Sequence, residues 1–392
     1  MGMGHFRQST PESGLDVIMG TLPLDLAILG SAIKARIRTK DRINITWNGK
    51  GTRNRKSHFN ELDEIIASMN LSTGSIDRLG KSHDWASNYS VDQESLLTGL
   101  DQTDGLRLYT DGSKMGDLTG YGAALYNSEN ILIDTVNGKL TDNATVFQAE
   151  CVAMELGLTL LESAEENSDL TILTDSQALI KAINTHEVNS SCINQLRTEL
   201  KAHSEKRSIN IKWIKAHIGH PGNEMADELA KDGASGLGNG PPIQVGSSNK
   251  VISSEVNAKM EELWKIRWEQ GKDARQTRIF FPTINLSKSK KIRKMNRKNV
   301  SNMVRAITGH DFRRRHQTLM EGEGNNMCRL CGEEEESSSH LVDRCPRLQA
   351  KRMEVFGTPP GSAVSPIWKP EQLAAFLSDP LISEMEASNG ED

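Results

Sequence analysis

Leu106-Arg107-Leu108-Tyr109-Thr110-Asp111-Gly112-Ser113 is the stretch on which the fold turns. Leu106, Leu108 and Thr110 alternate with Arg107, Tyr109 and Asp111, the period-two pattern of a strand whose successive side chains point to opposite faces, and Gly112 ends it. Downstream, Tyr121 to Tyr126 and Ile131 to Val136 read as two more strands, joined by a short turn at Asn127 to Asn130. A helix follows from about Thr145 to Ser163. On it Glu150, Ala153 and Gly157 share a face, and the small residues let it sit close on a sheet. Leu170, Ile172 and Thr174 alternate with Thr171, Leu173 and Asp175 as a fourth strand. Ser176 caps a helix to Asn184, and another helix runs from about Ser191 to Ala202. Ile209, Ile211 and Trp213 form a fifth strand, and a glycine-containing loop leads into a last helix holding Asp227, Leu229 and Ala230.

Short hairpins make the first three strands antiparallel, and helical crossovers make the first, fourth and fifth parallel. The expected fold class is therefore α/β, a mixed five-stranded sheet flanked by helices. Asp111 and Asp175 both follow a Thr and precede a small residue, and both end strands where crossover loops gather, the usual place for chemistry in such sheets. Glu150 and Asp227 are the helix-borne acids able to converge on them. Carboxylates packed within a few ångströms cannot all stay ionised alone; some rise in pKa or recruit divalent cations. Hard oxygen donors suit Mg²⁺, which keeps waters and takes a substrate phosphate.

Tyr109-Thr110-Asp111-Gly112-Ser113, Gln148-Ala149-Glu150, Leu173-Thr174-Asp175-Ser176-Gln177 and the run from Trp213 through His217, Gly219, His220 and Asn223 to Asp227 resemble, in order, the four signature segments of type 1 ribonuclease H. The resemblance implies a ribonuclease H-like sheet and cleavage of the RNA strand of RNA–DNA hybrids with two Mg²⁺ ions, Mn²⁺ being able to substitute. Two such ions, about 4 Å apart, activate the attacking water and stabilise the leaving 3′ oxygen. It also implies that Asp111 bridges both ions, that Glu150 and Asp175 hold one side and Asp227 the other, and that His217 relays protons or helps product leave. Ser176, Gln177 and Asn223 match positions near the hybrid, and Gly112 and Ser113 offer backbone and hydroxyl contacts. Val146 and Phe147 stand where cellular members carry polar, Asn-rich residues, so the groups reading the 2′-hydroxyl differ here.

The 392 residues carry 47 Lys plus Arg against 52 Asp plus Glu, a net charge of −5 too mild for a chain that binds polyanions throughout. The charge is segregated. Lys288 to Arg315 holds eleven basic residues against Asp311 alone, a balance of +10, which leaves −15 elsewhere. Within it Lys290, Lys291, Arg293 and Lys294 are expected to contact nucleic-acid phosphates. Asp16, Asp25 and Pro23 interrupt the most apolar stretch, Gly14 to Ile33, which excludes a membrane span there; a signal peptide fits poorly too, so an intracellular protein is expected. Five cysteines are too few for a secreted disulfide framework. Three of them, with one histidine, make Cys328-x2-Cys331-x8-His340-x4-Cys345, the full ligand count of a closed structural Zn²⁺ site. Cys151 and Cys192 read as ordinary buried thiols, and Trp264 and Trp268, four apart, as helix core.

Four regions are expected: helical and loop segments over 1–100, the nuclease over 104–234, a flexible linker over 235–250 where Gly, Pro and Ser concentrate, and a basic helical tail over 251–392 with the zinc module at 328–345. The order nuclease, Trp-x3-Trp helix, Thr308-Gly309-His310, cysteine module resembles the C-terminal end of non-LTR retrotransposon polyproteins. Leu22-Pro23-Leu24-Asp25-Leu26 resembles the segment after a reverse transcriptase, and with no Asp-Asp dipeptide for polymerase chemistry the chain is expected to lack the polymerase core. The alternative to an enzyme is a non-catalytic nucleic-acid-binding remnant of such an element. The expected partners are hybrid and, through the basic tail, other nucleic acid; no membrane is expected, and protein partners are not readable.

Overall fold

The computed structural model describes residues 11–39, 58–71, 76–78, 89–92, 105–164, 168–186, 188–216, 219–310, 313–322, 324–357, 359, 362–365 and 367–387. In chain order these form α1 (Glu12–Met19), α2 (Leu24–Thr39), α3 (His58–Ser68), β1 (Ser90–Asp92), β2 (Leu106–Met115), β3 (Leu118–Tyr126), β4 (Leu132–Lys139), α4 (Val146–Thr159), β5 (Leu170–Thr174), α5 (Gln177–Ile183), α6 (Ser191–Ser204), β6 (Ile209–Trp213) and α7 (Pro221–Ala234). Then follow α8 (Asn249–Gln270), α9 (Arg275–Phe280), α10 (Leu286–Arg293), α11 (Arg297–Thr308), α12 (Arg314–Glu321), α13 (Gln349–Phe356), α14 (Pro370–Leu377) and α15 (Pro380–Ala387). Among them no single helix is long and apolar enough to cross a membrane. The chain makes two compact units, 36–255 and 1–35 with 256–392.

In the first unit one sheet runs β1-β6-β5-β2-β3-β4. β2, β3 and β4 pair antiparallel, and β2, β5, β6 and β1 pair parallel. The expected five strands are present, and the sheet gains a sixth, β1, three residues long on the β6 edge. Gly116, at φ +62°, opens the two-residue turn between β2 and β3, a backbone region L side chains rarely adopt.

Two helical layers cover the sheet. On one face Leu108, Ile172 and Ile211 pack with Met154 and Leu158 of α4 and Leu196 and Leu200 of α6. On the other, Tyr109 and Leu173 meet Ile214 and Ala226 of α7. α7 lies directly on β3: a Cβ at Gly120 would strike the backbone of Ala234, and one at Gly122 that of Ala230.

Residues 235–250 depart from the flexible linker expected of them. Gly240 N–H donates to Asn137 O at 2.7 Å, Tyr121 hydroxyl to Pro241 O at 2.9 Å, and Ile243 N–H to Lys139 O at 3.0 Å. Thr141 N–H returns a bond to Ile243 O at 3.0 Å. Glycine and proline there deny the segment helix and strand, but its backbone groups find partners along β4, so it forms a strap.

The other unit is helical. Its core joins Val17 and Ile18 of α1 to Phe280, Phe281, Ile292, Trp368 and Phe376, all buried. Ser289 hydroxyl donates to Val17 O at 2.9 Å, and Asp25 pairs with Arg267 at 2.8 Å. Residues 11–35 thus belong with this unit, whereas the sequence places them in a region over 1–100. Trp264 and Trp268 are buried, and the Trp268 indole N–H donates to Phe281 O at 3.0 Å, which makes them core.

Candidate active site

Strand register builds the site first. Thr110 of β2 pairs with Thr174 of β5, so Asp111 and Asp175, the next residues of adjacent parallel strands, emerge side by side. Both are two positions beyond residues packed toward α7 and share that face.

Glu150 arrives from α4, whose start is fixed by a capping box. Gln148 N–H donates to Thr145 hydroxyl at 3.2 Å, and Thr145 N–H donates to the Gln148 carboxamide at 3.0 Å. Close approach depends on Gly112, because a Cβ there would lie 2.6 Å from Glu150 N. Asp111, Glu150 and Asp175 bring one carboxylate oxygen each within 4.8 Å of one another.

The environment is hostile to negative charge. Burial, then Asp175 and Asp227, push Asp111 up to about 7, against one bond at 2.8 Å from Gly112 N–H. Burial, then Asp111 and Asp175, push Glu150 up to about 10. Glu150 Oε2 is buried with no hydrogen-bond partner. A buried carboxylate oxygen without a donor, facing two more acids, fits a divalent cation: the donor set is all hard oxygen and the missing charge is positive. Asp227, from α7, stands beside Asp111, and its Oδ2 accepts from Lys231 at 2.6 Å. Three of the four expected carboxylates thus form the tight group and the fourth flanks it.

The other expected residues divide. His217 lies outside the described residues. Gly112 is buried and its N–H donates to Asp111. Asn223 is also buried. Ser113 and Ser176 are half-buried, Ser176 hydroxyl caps α5 by accepting from Leu179 N–H at 3.4 Å, and Gln177 is exposed. Lys290, Lys291, Arg293 and Lys294 are exposed on and just after α10.

One constellation is absent from the sequence reading. Asp77 is buried and accepts from Ser190 hydroxyl at 2.9 Å, Ser191 hydroxyl at 2.7 Å and Cys192 N–H at 3.2 Å. Gln148 Nε2 donates to Asp77 at 3.4 Å and to Gly246 O at 2.7 Å. Asp77 N–H donates to Ser247 O at 3.1 Å. One carboxylate therefore ties the starts of α4 and α6 to the strap, two residues from Glu150. Only Thr145-x-x-Gln148, a capping-box pattern, marks any of this in the sequence.

In the other unit Cys328, Cys331, His340 and Cys345 also bring their ligand atoms within 4.8 Å. Cys331 Sγ is 3.3 Å from His340 Nε2, Cys328 Sγ is 4.0 Å from Cys345 Sγ, and His340 Nδ1 is 3.2 Å from Glu334. Three sulfurs and an imidazole converging with a carboxylate behind the ring fit Zn²⁺. Cys151 and Cys192 are buried free thiols, Cys192 pushed up to about 12 by burial first and by Asp77 and Glu155 next.

Known proteins resemble the chain over the segment that carries the four acids. The RNase H family model matches residues 103–235. Ribonuclease H of Aeromonas salmonicida is 34% identical over 143 residues, which cover 33% of this chain and 89% of that enzyme. The chain belongs to the ribonuclease H family. Ribonuclease H of Pseudomonas putida is 30% identical over 146 residues, 33% of this chain and 94% of the relative. Ribonuclease H of Saccharomyces cerevisiae is 31% identical over 159 residues, 33% of this chain and 46% of that protein, so the chain spans less than half of the yeast relative. Among solved structures, RNase H1 of Halobacterium salinarum is 19% identical with a TM-score of 0.29, covering 33% of this chain and 97% of that one. In this ribonuclease H chain the matched residues 103–235 contain Asp111, Glu150, Asp175 and Asp227, whereas Asp77 and the strap beyond 235 lie outside the match.

Proposed function

We propose that this ribonuclease H chain is a divalent-metal-dependent endonuclease that hydrolyses the RNA strand of RNA–DNA hybrids. The observation that carries the reading is the partnerless, buried Oε2 of Glu150 facing Asp111 and Asp175. Asp111, Glu150, Asp175 and Asp227 would hold Mg²⁺, or Mn²⁺ in its place. When bound, the cations neutralise the carboxylates, lower the pKa of a water and stabilise charge on the phosphate and leaving oxygen. The chain's own residues do the rest. The parallel pairing of β2 with β5 up to Thr110 and Thr174 fixes the spacing of Asp111 and Asp175, and α4, held by its capping box, keeps Glu150 at the pair. Ser113 on β2, and Ser176 and Gln177 at the start of α5, would contact the hybrid backbone beside the acids.

Cys328, Cys331, His340 and Cys345 would hold structural Zn²⁺, and Lys290, Lys291, Arg293 and Lys294 would bind nucleic-acid phosphates. The order of nuclease, tryptophan-bearing α8, Thr308-Gly309-His310 and cysteine module supports an origin in a non-LTR retrotransposon polyprotein. The free thiols suit an intracellular, reducing compartment.

The test is incubation of labelled hybrid, double-stranded RNA and duplex DNA with Mg²⁺ and either wild type or Asp111→Asn. Cleavage of the hybrid's RNA strand alone, by wild type alone, is expected. Binding of hybrid without cleavage by wild type would replace the enzyme with a non-catalytic remnant.

A further inference from the structure

Beside the cysteine module lies a cavity of about 220 Å³ whose lining includes Arg275, His310, Arg315, His316, Ser337 and Ser338. Its chemistry is one-sided. Arg275, Arg315, two histidines and two serines line it; Arg315 also pairs with Glu335 outside the lining at 3.4 Å, and the acid in the wall, Glu336, is already neutralised. Glu336 is fully buried, pairs with Arg329 at 2.6 Å and accepts from Arg314 N–H at 3.1 Å and Arg329 N–H at 2.8 Å. Burial raises its pKa, but the Arg329 bonds and the two amides outweigh burial and hold it below the usual carboxylate range, so it remains a neutralised anion. The cavity offers donors and positive charge to an occupant that must accept.

The walls are built rather than incidental. His316 and Ser337 are more than nine-tenths buried, and Ser338 is almost completely so. His310 and His316 pack edge to face with centroids 5.0 Å apart. Thr308 O can only accept, so the 3.1 Å contact from His310 Nδ1 puts a proton there and fixes the ring. The floor belongs to the cysteine module, because Ser337 hydroxyl accepts from His340 N–H at 3.1 Å. Ala274, in the wall, holds φ +49°, a conformation a non-glycine residue keeps only where its surroundings impose it.

We propose that this cavity is an oxyanion site that takes one backbone phosphate of a nucleic-acid strand. Its volume is below the ~300–1,000 Å³ of pockets that enclose whole small molecules, and it suits a single anionic group. Guanidinium forks match phosphate oxygens with paired donors. The same unit carries the exposed bases that draw a strand to it. α11 runs twelve residues from Arg297 and Lys298 to Thr308 at the cavity, about 18 Å at 1.5 Å per residue. A strand rising about 3.4 Å per nucleotide covers that distance in roughly five nucleotides. The proposal stands apart from the nuclease reading: it concerns the other unit and survives if no hybrid is cut.

The test uses the full zinc-loaded chain with its histidines isotope-labelled, an oligonucleotide without terminal phosphates, and inorganic phosphate as a separate titrant. The oligonucleotide is expected to shift the His310 and His316 ring signals to saturation. In Arg275→Ala/Arg315→Ala, whose side chains are exposed at the rim, its affinity falls about tenfold and the slope of log affinity against log salt falls by about one. Loss of one unit of slope for two arginines marks a single shared phosphate. A loss of two units, as from two independent lysines on an open face such as Lys290→Ala/Lys291→Ala, would overturn the cavity. Unchanged affinity in the arginine pair would do the same. Ring shifts with inorganic phosphate and none with the oligonucleotide would make this a free-phosphate site and reject the nucleic-acid assignment.

Discussion

At the scale of single residues the site is a store of unfavourable charge. Asp111 and Glu150 are raised to about 7 and about 10 by burial and by neighbouring acids, from ordinary values near 4. Groups with raised folded pKa bind more protons folded than unfolded, so metal-free stability is highest below pH 4 as far as these two are concerned. It falls as pH rises from about 4 through about 7 for Asp111, and goes on falling toward about 10 for Glu150. Thermal melts of metal-free protein should show that decline between pH 5 and 8, and divalent cation should reverse it. Glu150→Gln keeps the shape and removes the charge, so it should stabilise the metal-free protein at pH 7 by a few kcal/mol and abolish the rise in Tm with Mg²⁺. A variant less stable than wild type and still responsive to Mg²⁺ would remove Glu150 from the site.

At the scale of elements, the reading succeeded where local pattern carried the information. β2 and β5 announce themselves by period-two alternation ending in Asp111 and Asp175, and the α5 and α7 segments by a capping Ser176 and the spacing of Asp227, Leu229 and Ala230. It failed where pairing is tertiary. Ser90–Asp92 has no hydrophobic alternation long enough to mark a strand and becomes one only through β6. The strap's composition excludes helix but says nothing of Tyr121 and Asn137, the distant partners that hold it. Asp77 sits in polar, loosely patterned sequence, and its donors lie 71 to 115 residues away. Asp77→Ala would take the acceptor from two half-buried hydroxyls and a buried amide, so denaturant unfolding should show a loss of about 2 kcal/mol. The same change should weaken Mg²⁺ binding through Gln148 and α4. At β3, Gly120→Ala drives a methyl into the α7 backbone and should cost at least about 2 kcal/mol. An unchanged midpoint in either variant would show that the contact carries no stability.

At the scale of the molecule, the two units rest on different physics. The sheet unit has a continuous apolar core, from Leu106 and Leu108 to Leu196 and Ile211, and is expected to fold without metal. The cysteine module is held by few apolar side chains and by bonds such as Cys328 N–H to Glu334 O at 2.8 Å and Cys345 N–H to His340 O at 2.8 Å. Chelation of zinc should therefore release the amides of Cys328, Gly332 and Cys345 to hydrogen exchange and leave those of β2 and β5 protected. Protection retained at 328–345 in chelator would contradict a metal-held module. The segregation of charge, with +10 between Lys288 and Arg315, was legible from the sequence, but the pairing of 1–35 with 256–392 was not, because Val17 and Ile18 find Phe280 and Ile292 across more than 250 residues.

The most direct test of the central claim, that Asp111, Glu150 and Asp175 form a divalent-cation site, is calorimetric titration of Mn²⁺ into the full zinc-loaded chain, wild type against Asp111→Asn. The account predicts saturable binding to wild type that is lost in the variant while the variant keeps its fold. Equal binding by both proteins, or none by wild type, would contradict it.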